Sequence, residues 1–338
     1  MKDFGKYAVE NLKRFLPVEY AAADLRIMKT LANNDTEKET LYLELSGSAA
    51  LPVLDVDVMR SVCGDRFSAD EFLKSAAGSF LTRRTVYPNK IQKTEGLGYE
   101  DAKEHLVICV GRTASNRKRL EGLAGHEIGE FTVSYILSWP APADLPAMFR
   151  KIDPVKVVHD VRQDMLVSWG VTEDRVYRDA LAVEDNMGPV LIDFNTVTGC
   201  YMLGSPFMPD DNLFRTGYTG RASGADGLLC LSNRKMFRGA HLMFRADILE
   251  KIGELVGGDF YVLPSSVDEV LIWPDNGKRD KEKMNEVVRF VNKEELAPEQ
   301  RLADSAYRYD CERRVLVNTA DGKELVPEQG PAHKTGVE

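Results

Sequence analysis

The sequence is short of the features that mark the more easily recognised protein classes. It has five cysteines in 338 residues (Cys63, Cys109, Cys200, Cys230 and Cys311), an odd count with no C-x-x-C pair. That excludes a disulfide framework or a cysteine-based zinc module and fits a reduced, cytoplasmic protein. Cys109 and Cys230 lie inside apolar runs, where a cysteine is a small buried hydrophobe. No apolar stretch approaches the roughly 20 residues that span a bilayer. Two of the longest, Leu106–Val110 and Val270–Trp273, are strand-sized. The N-terminal Met-Lys-Asp-Phe-Gly-Lys lacks the apolar core of a secretory signal, so none is expected. Positive charge is not in excess. A net charge of −9 argues against a broad nucleic-acid surface, which needs clustered Lys and Arg to displace counterions.

What is present reads as mixed helices and strands. Phe4, Tyr7, Ala8, Leu12 and Phe15 share one face of a helix from Asp3 to Leu16, stopped by Pro17. Leu25 and Ile27, then Leu41, Leu43 and Leu45, alternate with polar neighbours around Asn33-Asn34-Asp35, which predicts a β-hairpin. Ser68-Ala69-Asp70-Glu71 is a capping box opening a helix to Arg83. Residues 87–101 read as a loop, and His105–Val110 as a buried strand. Phe131–Trp139 alternates with period two, from a strand that begins near Ile128. The Pro-rich segment from Pro140 to Pro154 is the expected lobe boundary, followed by a strand over Val155–Val158. Gly170 closes a short helix ending at Trp169, and Thr172 caps the next, which carries Val176, Tyr177, Ala180 and Leu181. Residues 189–244 suggest an irregular antiparallel sheet. Helices are expected over Ile248–Val256, closed by Gly257-Gly258, and over Met284–Val291. Without a steady βαβ rhythm, the pattern predicts an α+β fold of mixed, mostly antiparallel sheets with packed helices. Two lobes are expected, over 1–150 and 151–318, with a disordered tail over 319–338, which has no aromatic residue and is rich in charge.

Several short motifs suggest chemistry and fall short of it. His126-Glu127-Ile128-Gly129-Glu130 is one residue short of the zinc-protease pattern H-E-x-x-H, which works by placing two histidines on one helical face. Here a strand follows at once, so a polar turn is expected and no metal site. Gly217, Gly220, Gly224 and Gly227 lack the lysine and helix of a phosphate loop, with Arg221 the one cation inside the run. Asp55 and Asp57 are too few to ligate a hard cation. Arg112, Arg117, Lys118 and Arg119 form a basic cluster that suits a phosphate or nucleic-acid backbone, without interleaved aromatics to stack bases. Pro264 to Glu269 reads as a turn whose Ser265, Ser266, Asp268 and Glu269 either bond the turn backbone or hold a polar ligand. No histidine lies near it in sequence to activate a serine.

That turn, with its neighbours, carries a resemblance. Lys29–Asp35, Leu123–His126 with the strand after it, Trp169-Gly170-Val171-Thr172-Glu173, Leu263–Glu269 and Asn292–Asp304 follow one another as do the motifs of an uncharacterised bacterial family, domain of unknown function 5688. The chain resembles it over about residues 4–317. The Trp-Gly helix start is also similar to domain of unknown function 1444. Neither resemblance implies a catalytic residue. Two departures stand out: Asp268 replaces a histidine of the family's turn, and Gly125 replaces a proline before His126.

With no complete metal set, nucleophile pair or phosphate loop, the leading expectation is a non-catalytic, cytoplasmic binding or adaptor protein without a cofactor. Its partner would be a protein or a small molecule, with neither membrane nor nucleic acid expected. The alternatives are a hydrolase or metal-dependent enzyme drawing His126 and Glu127 together with the Ser265–Glu269 turn, and a nucleic-acid accessory protein using Arg112 to Arg119.

Overall fold

The computed structural model describes residues 3–46, 50–63, 68–86, 97–138, 158–218, 227–278 and 280–329. The fold is α+β, with helices around three mostly antiparallel sheets among the described residues. Two compact units interleave along the chain. One gathers Met1–Ala32, Thr36–His105 and Leu137–Asp160; the other gathers Asn33–Asp35, Leu106–Ile136 and Val161–Glu338. The boundary expected between Pro140 and Pro154 lies outside the described residues, as do residues 155–157 of the strand expected there.

In the first unit, Asp3 caps α1 (Phe4–Asn11) by accepting the Lys6 amide at 3.1 Å. The last turn of the expected helix tightens into a 3-10 turn, Leu12–Phe15, before Pro17. Strands β1 (Asp24–Leu31) and β2 (Glu37–Glu44) pair antiparallel from Asp24–Glu44 to Leu31–Glu37, and β3 (Leu51–Asp55) adds to β2. Asp55 and Asp57 serve structure. Asp55 accepts the amides of Asp57 and Val58 and caps α2 (Val56–Val62), while Asp57 accepts the Glu39 amide at 3.0 Å. The capping box forms as expected: Ser68 Oγ accepts the Glu71 amide at 3.2 Å, and the Glu71 carboxylate accepts the Ser68 amide at 2.9 Å. It opens α3 (Ala69–Val86). The loop expected over 87–101 ends in a short helix, α4 (Tyr99–Ala102), and residues 87–96 lie outside the described residues. Strand β7 (Val158–Asp160) also belongs to this unit.

In the second unit, β4 (Leu106–Arg112), β6 (Phe131–Ser138) and β5 (Gly125–Ile128) form a sheet in that order. The strand thus begins earlier than Ile128: residues 125–128 are already paired, with His126 opposite Val133, and Gly129-Glu130 turn the hairpin. Consecutive residues Val133 to Leu137 are all buried, so β6 has no wet face despite its alternating sequence. Two capped helices follow. Gly170, at φ 66°, closes α5 (Gln163–Trp169), and the Thr172 hydroxyl accepts the Arg175 amide to open α6 (Glu173–Met187).

A seven-stranded sheet dominates this unit. It comprises β8 (Pro189–Asp193), β9 (Leu229–Asn233), β10 (Phe260–Leu263), β11 (Val270–Pro274), β12 (Tyr307–Asp310), β13 (Val315–Asn318) and β14 (Glu324–Leu325), in the order β14-β13-β12-β10-β11-β9-β8. One face packs Val190, Ile192, Cys230, Tyr261, Leu263 and Leu271 against Val197 of α7 (Phe194–Leu203) and Met284 and Val288 of a later helix, α10 (Lys281–Glu294). Alternate residues Leu191, Leu231, Phe260, Val262 and Ile272 are buried too, so both faces are covered. Each such side chain contributes about 1.5–3 kcal/mol. Between β8 and β9 the expected irregular sheet gives way to helix: Asp193 caps α7, and Asn212 caps α8 (Leu213–Thr216). After β9, Gly239–Phe244 form a 3-10 turn leading into α9 (Ala246–Val256). Residues 319–329, expected to lack structure, include β14, and a parallel bridge joins Glu328 to Arg245. Residues 330–338 lie outside the described residues.

Candidate functional site

Helix α6 presents Glu173, Tyr177, Ala180 and Glu184 at spacings of four, three and four residues, one continuous stripe on a helix. Glu184 is only 4% exposed, and burial of an ionisable side chain demands partners. Glu184 finds them in His241 and Arg245, at the turn before α9, while Glu173 and Tyr177 meet His126 and Tyr135 from the β5–β6 hairpin and Glu328 from the C-terminal segment. Glu328 is held by its backbone as well as its side chain. Its amide donates to the Phe244 carbonyl at 2.7 Å, and its own carbonyl accepts the Ala246 amide at 2.9 Å.

The side chains form an unbroken hydrogen-bonded chain. The Tyr135 hydroxyl donates to Glu173, whose Oε1 lies 2.8 Å from His126 Nδ1. The other ring nitrogen, Nε2, is 3.1 Å from Glu328 Oε1, and Tyr177 donates to the second oxygen of Glu328. The Tyr177 oxygen is also 3.1 Å from His241 Nε2, and His241 Nδ1 is 3.0 Å from Glu184 Oε1. The wholly buried Arg245 closes the chain. It reaches Glu184 at 3.3 Å and Asp185 at 2.6 Å through Nη1, and grips Asp247 with Nε and Nη2 at 3.0 and 2.6 Å.

Charge within this chain is balanced locally. Hydrogen bonds to Glu173 and then Glu328 raise the His126 imidazole to about 9, so it is a cation between two carboxylates. Burial pushes both carboxyls up, but the hydrogen bonds from His126 and the tyrosines outweigh it and hold them below the usual carboxylate range. Burial, then the adjoining carboxylate, raises both Tyr135 and Tyr177, so the phenols stay protonated donors. Each acid, base and phenol is engaged by another member, and no serine, threonine, cysteine or lysine stands among them. Among the described residues, no group of three or more His, Cys, Asp or Glu side chains is arranged to hold a metal ion.

The sequence-derived candidates fall in separate places. His126 is a member of the chain just described, and Glu127 lies exposed on β5, opposite Thr132. Glu130 turns away from His126: it accepts Arg112 Nε at 2.9 Å and the Tyr307 hydroxyl at 2.5 Å. The Ser265–Glu269 turn is engaged with itself. Ser266 Oγ accepts the amides of Asp268 and Glu269 at 3.0 and 3.2 Å and donates to Glu269 Oε1 at 2.7 Å, while Ser265 Oγ donates to the Glu269 carbonyl at 3.3 Å. Burial pushes the Glu269 carboxyl up. Asp268 accepts the Arg238 amide at 2.9 Å, an acceptor role a protonated imidazole could not fill. In the basic cluster, Arg112 is paired with Glu130 and Asp304, and the Lys118 and Arg119 amides hold the Asp35 carboxylate at 3.1 and 2.8 Å. Arg117 and Lys118 are exposed. Of the glycine-rich run, Gly217 and Gly227 are described and residues 219–226 are not.

A different feature is open to solvent. The C-terminal end of α7 and the segment after it expose Tyr201, Met202, Leu203 and Met208, with Met202 and Leu203 82% and 80% exposed. Gly204, in the left-handed conformation, ends the helix and turns the chain along this apolar stretch. No described helix is long and apolar enough to cross a membrane.

The family model described as "Family of unknown function (DUF5688)" matches residues 1–311. No curated protein and no solved structure matches the chain.

Proposed function

The chain belongs to DUF5688, and we propose that it is a non-catalytic binding protein that docks a protein partner on the exposed segment Tyr201–Met208. The observation that carries this reading is the run of large apolar side chains left in solvent there, Met202, Leu203 and Met208 foremost. Contiguous exposed apolar surface is costly in water and is put to use in association. Methionine suits that role, since its unbranched, polarisable side chain adapts to a partner's shape. The ionisable groups support the same reading from the other side, because the chain from Tyr135 to Asp247 is spent on internal partners. Five free cysteines are in keeping with a reducing, cytoplasmic setting.

The test is site-specific photo-crosslinking in the native cell from a photoreactive residue at position 202. The expected result is one discrete heterologous adduct that disappears in the Leu203→Glu background while the circular dichroism spectrum is unchanged. Absence of an adduct, or an adduct indifferent to Leu203→Glu, overturns the proposal.

A further inference from the structure

A second region of this unit has the makings of a small-ligand site and shares no residue with the Tyr201–Met208 segment. A groove of about 360 Å³ is lined by Glu250, Gly253 and Glu254 of α9, Gly257 and Gly258 after it, and Tyr309, Cys311 and Arg314 of the β12–β13 hairpin. Its chemistry is one-sided. Glu250 and Glu254 stand one turn apart on the same helix face. The C-terminus of α9, with its partial negative charge, opens onto the same place. Arg314 is the one cation of the lining, and it is paired with Glu250 at 3.2 Å. Glu254 is exposed and has no ion pair among the described residues.

The second, independent observation is Tyr309. Its ring is packed against Phe260 with centroids 5.2 Å apart, and the residue is 1% exposed. Yet its hydroxyl is buried with no hydrogen-bond partner among the described residues. Tyr309 is part of the groove lining, and burial, then the charge of Glu250, pushes this phenol up to about 12, against the opposing charge of Arg314. An unpaired buried hydroxyl is unfavourable, and a hydrogen bond from a ligand would relieve it. Cys311 does not offer covalent chemistry. Burial, then Asp259, pushes its thiol up to about 11, and its Sγ lies 3.3 Å from the Gly258 carbonyl. Gly253 makes room for it, since a Cβ there would lie 2.6 Å from that sulfur.

We propose that this groove binds a small aliphatic primary amine, with its ammonium group donating to Glu254 and the Tyr309 oxygen at the C-terminal end of α9. An ammonium group is a donor only, and the Glu254 carboxylate and the Tyr309 oxygen can accept from it, while Arg314 is paired with Glu250. The same chemistry is offered by a free diamine or by a lysine side chain of a peptide.

The test is calorimetric titration of the full chain at low salt with 1,4-diaminobutane, with Nα-acetyl-lysine amide, and with the uncharged 1,4-butanediol. Saturable binding of an amine and none of the diol is expected. The tighter of the two amines identifies the source. Glu254→Gln, at an exposed position, should weaken binding about tenfold or more. Tyr309→Phe should weaken it severalfold while leaving unliganded thermal stability equal or higher, because the lost hydroxyl has no partner to forfeit. No saturable amine binding up to about 10 mM, equal binding of the diol, or affinities unmoved by Glu254→Gln overturns the proposal.

Discussion

The imidazole of His126 and the carboxylate of Glu328 meet at 3.1 Å although 202 positions separate them in the chain. Glu328 also receives the Tyr177 hydroxyl on its other oxygen, so a single carboxylate joins hairpin, helix and C-terminal segment. Glu328→Ala should therefore lower unfolding stability by about 2–4 kcal/mol, since it leaves a half-buried cation and a half-buried phenol short of partners. Urea unfolding of the variant measures this. A loss no greater than that of an exposed surface substitution would show that the contact contributes nothing.

Stability should depend on pH on two sides. The folded His126 value, about 9, lies above the ordinary 6.5, so its contribution is fully present below 6.5 and is lost as pH rises through about 9. Glu173 and Glu328 are held below their ordinary 4.5, so their contribution is present above that value and is lost as pH falls through the lowered ones. A plateau from about pH 5 to pH 6.5 is expected, with on the order of 2 kcal/mol lost between about pH 6.5 and pH 9. His126→Gln should flatten the alkaline limb. The same limb persisting in the variant would assign it to another group.

Arg245 is 1% exposed and faces Glu184, Asp185 and Asp247. Arg245→Leu strips the cation and leaves three carboxylates to repel one another, one of them deeply buried. A loss of about 3–5 kcal/mol is expected. Adding Glu184→Gln should recover part of it, and a double-mutant cycle reads the coupling. Strict additivity would sink the claim that the two act together.

Much of the local structure was legible because it is set by residues close in sequence. Ser68 and Glu71 satisfy one another within a single turn, and Trp169-Gly170-Val171-Thr172 holds both a helix stop and a helix start. Such signals need no knowledge of the rest of the chain. The polar chain was not legible, because its members come from four segments and each has a bland local reading. Glu173 reads as first-turn acid, Tyr177 as an apolar stripe residue, and His241 and Arg245 as punctuation between short runs. One signal was available: Glu184 repeats the stripe of Glu173 and Tyr177, and a carboxylate on the apolar face of a helix predicts a buried cation. The helices at Phe194–Leu203 and Leu213–Thr216, inside the stretch 189–244 whose sequence suggests sheet, were not legible for a similar reason. Asp193 caps α7 in the way Ser68 helps cap α3, but the apolar composition of Phe194–Leu203 read as strand. Charge and missing aromatics made residues 319–329 look unstructured, although Leu325 is buried and Glu328 is anchored at both backbone groups.

Gly125 stands where the family resemblance has a proline, and the geometry shows what the glycine provides. A Cβ there would lie 2.0 Å from the Val133 carbonyl oxygen on the paired strand. Gly125→Ala must push the β5–β6 hairpin apart beside His126. A loss of about 2–4 kcal/mol is expected, within the range for backbone-level overpacking. Gly170→Ala meets nothing within 4 Å and should lose only about 1–2 kcal/mol, the left-handed penalty alone. Equal losses at the two positions in chemical denaturation would contradict the steric account.

Glu328 is the highest-numbered member of the hydrogen-bonded chain, so during synthesis on the ribosome it emerges after all its partners. Until then His126 lacks its Nε2 partner and Tyr177 its carboxylate, and hairpin and helix α6 are joined along this seam through Glu173 alone. Prematurely terminated products would keep a folded-looking sheet yet remain vulnerable along that seam. A chain cut short before position 328 should accordingly be digested faster by a protease than the full chain.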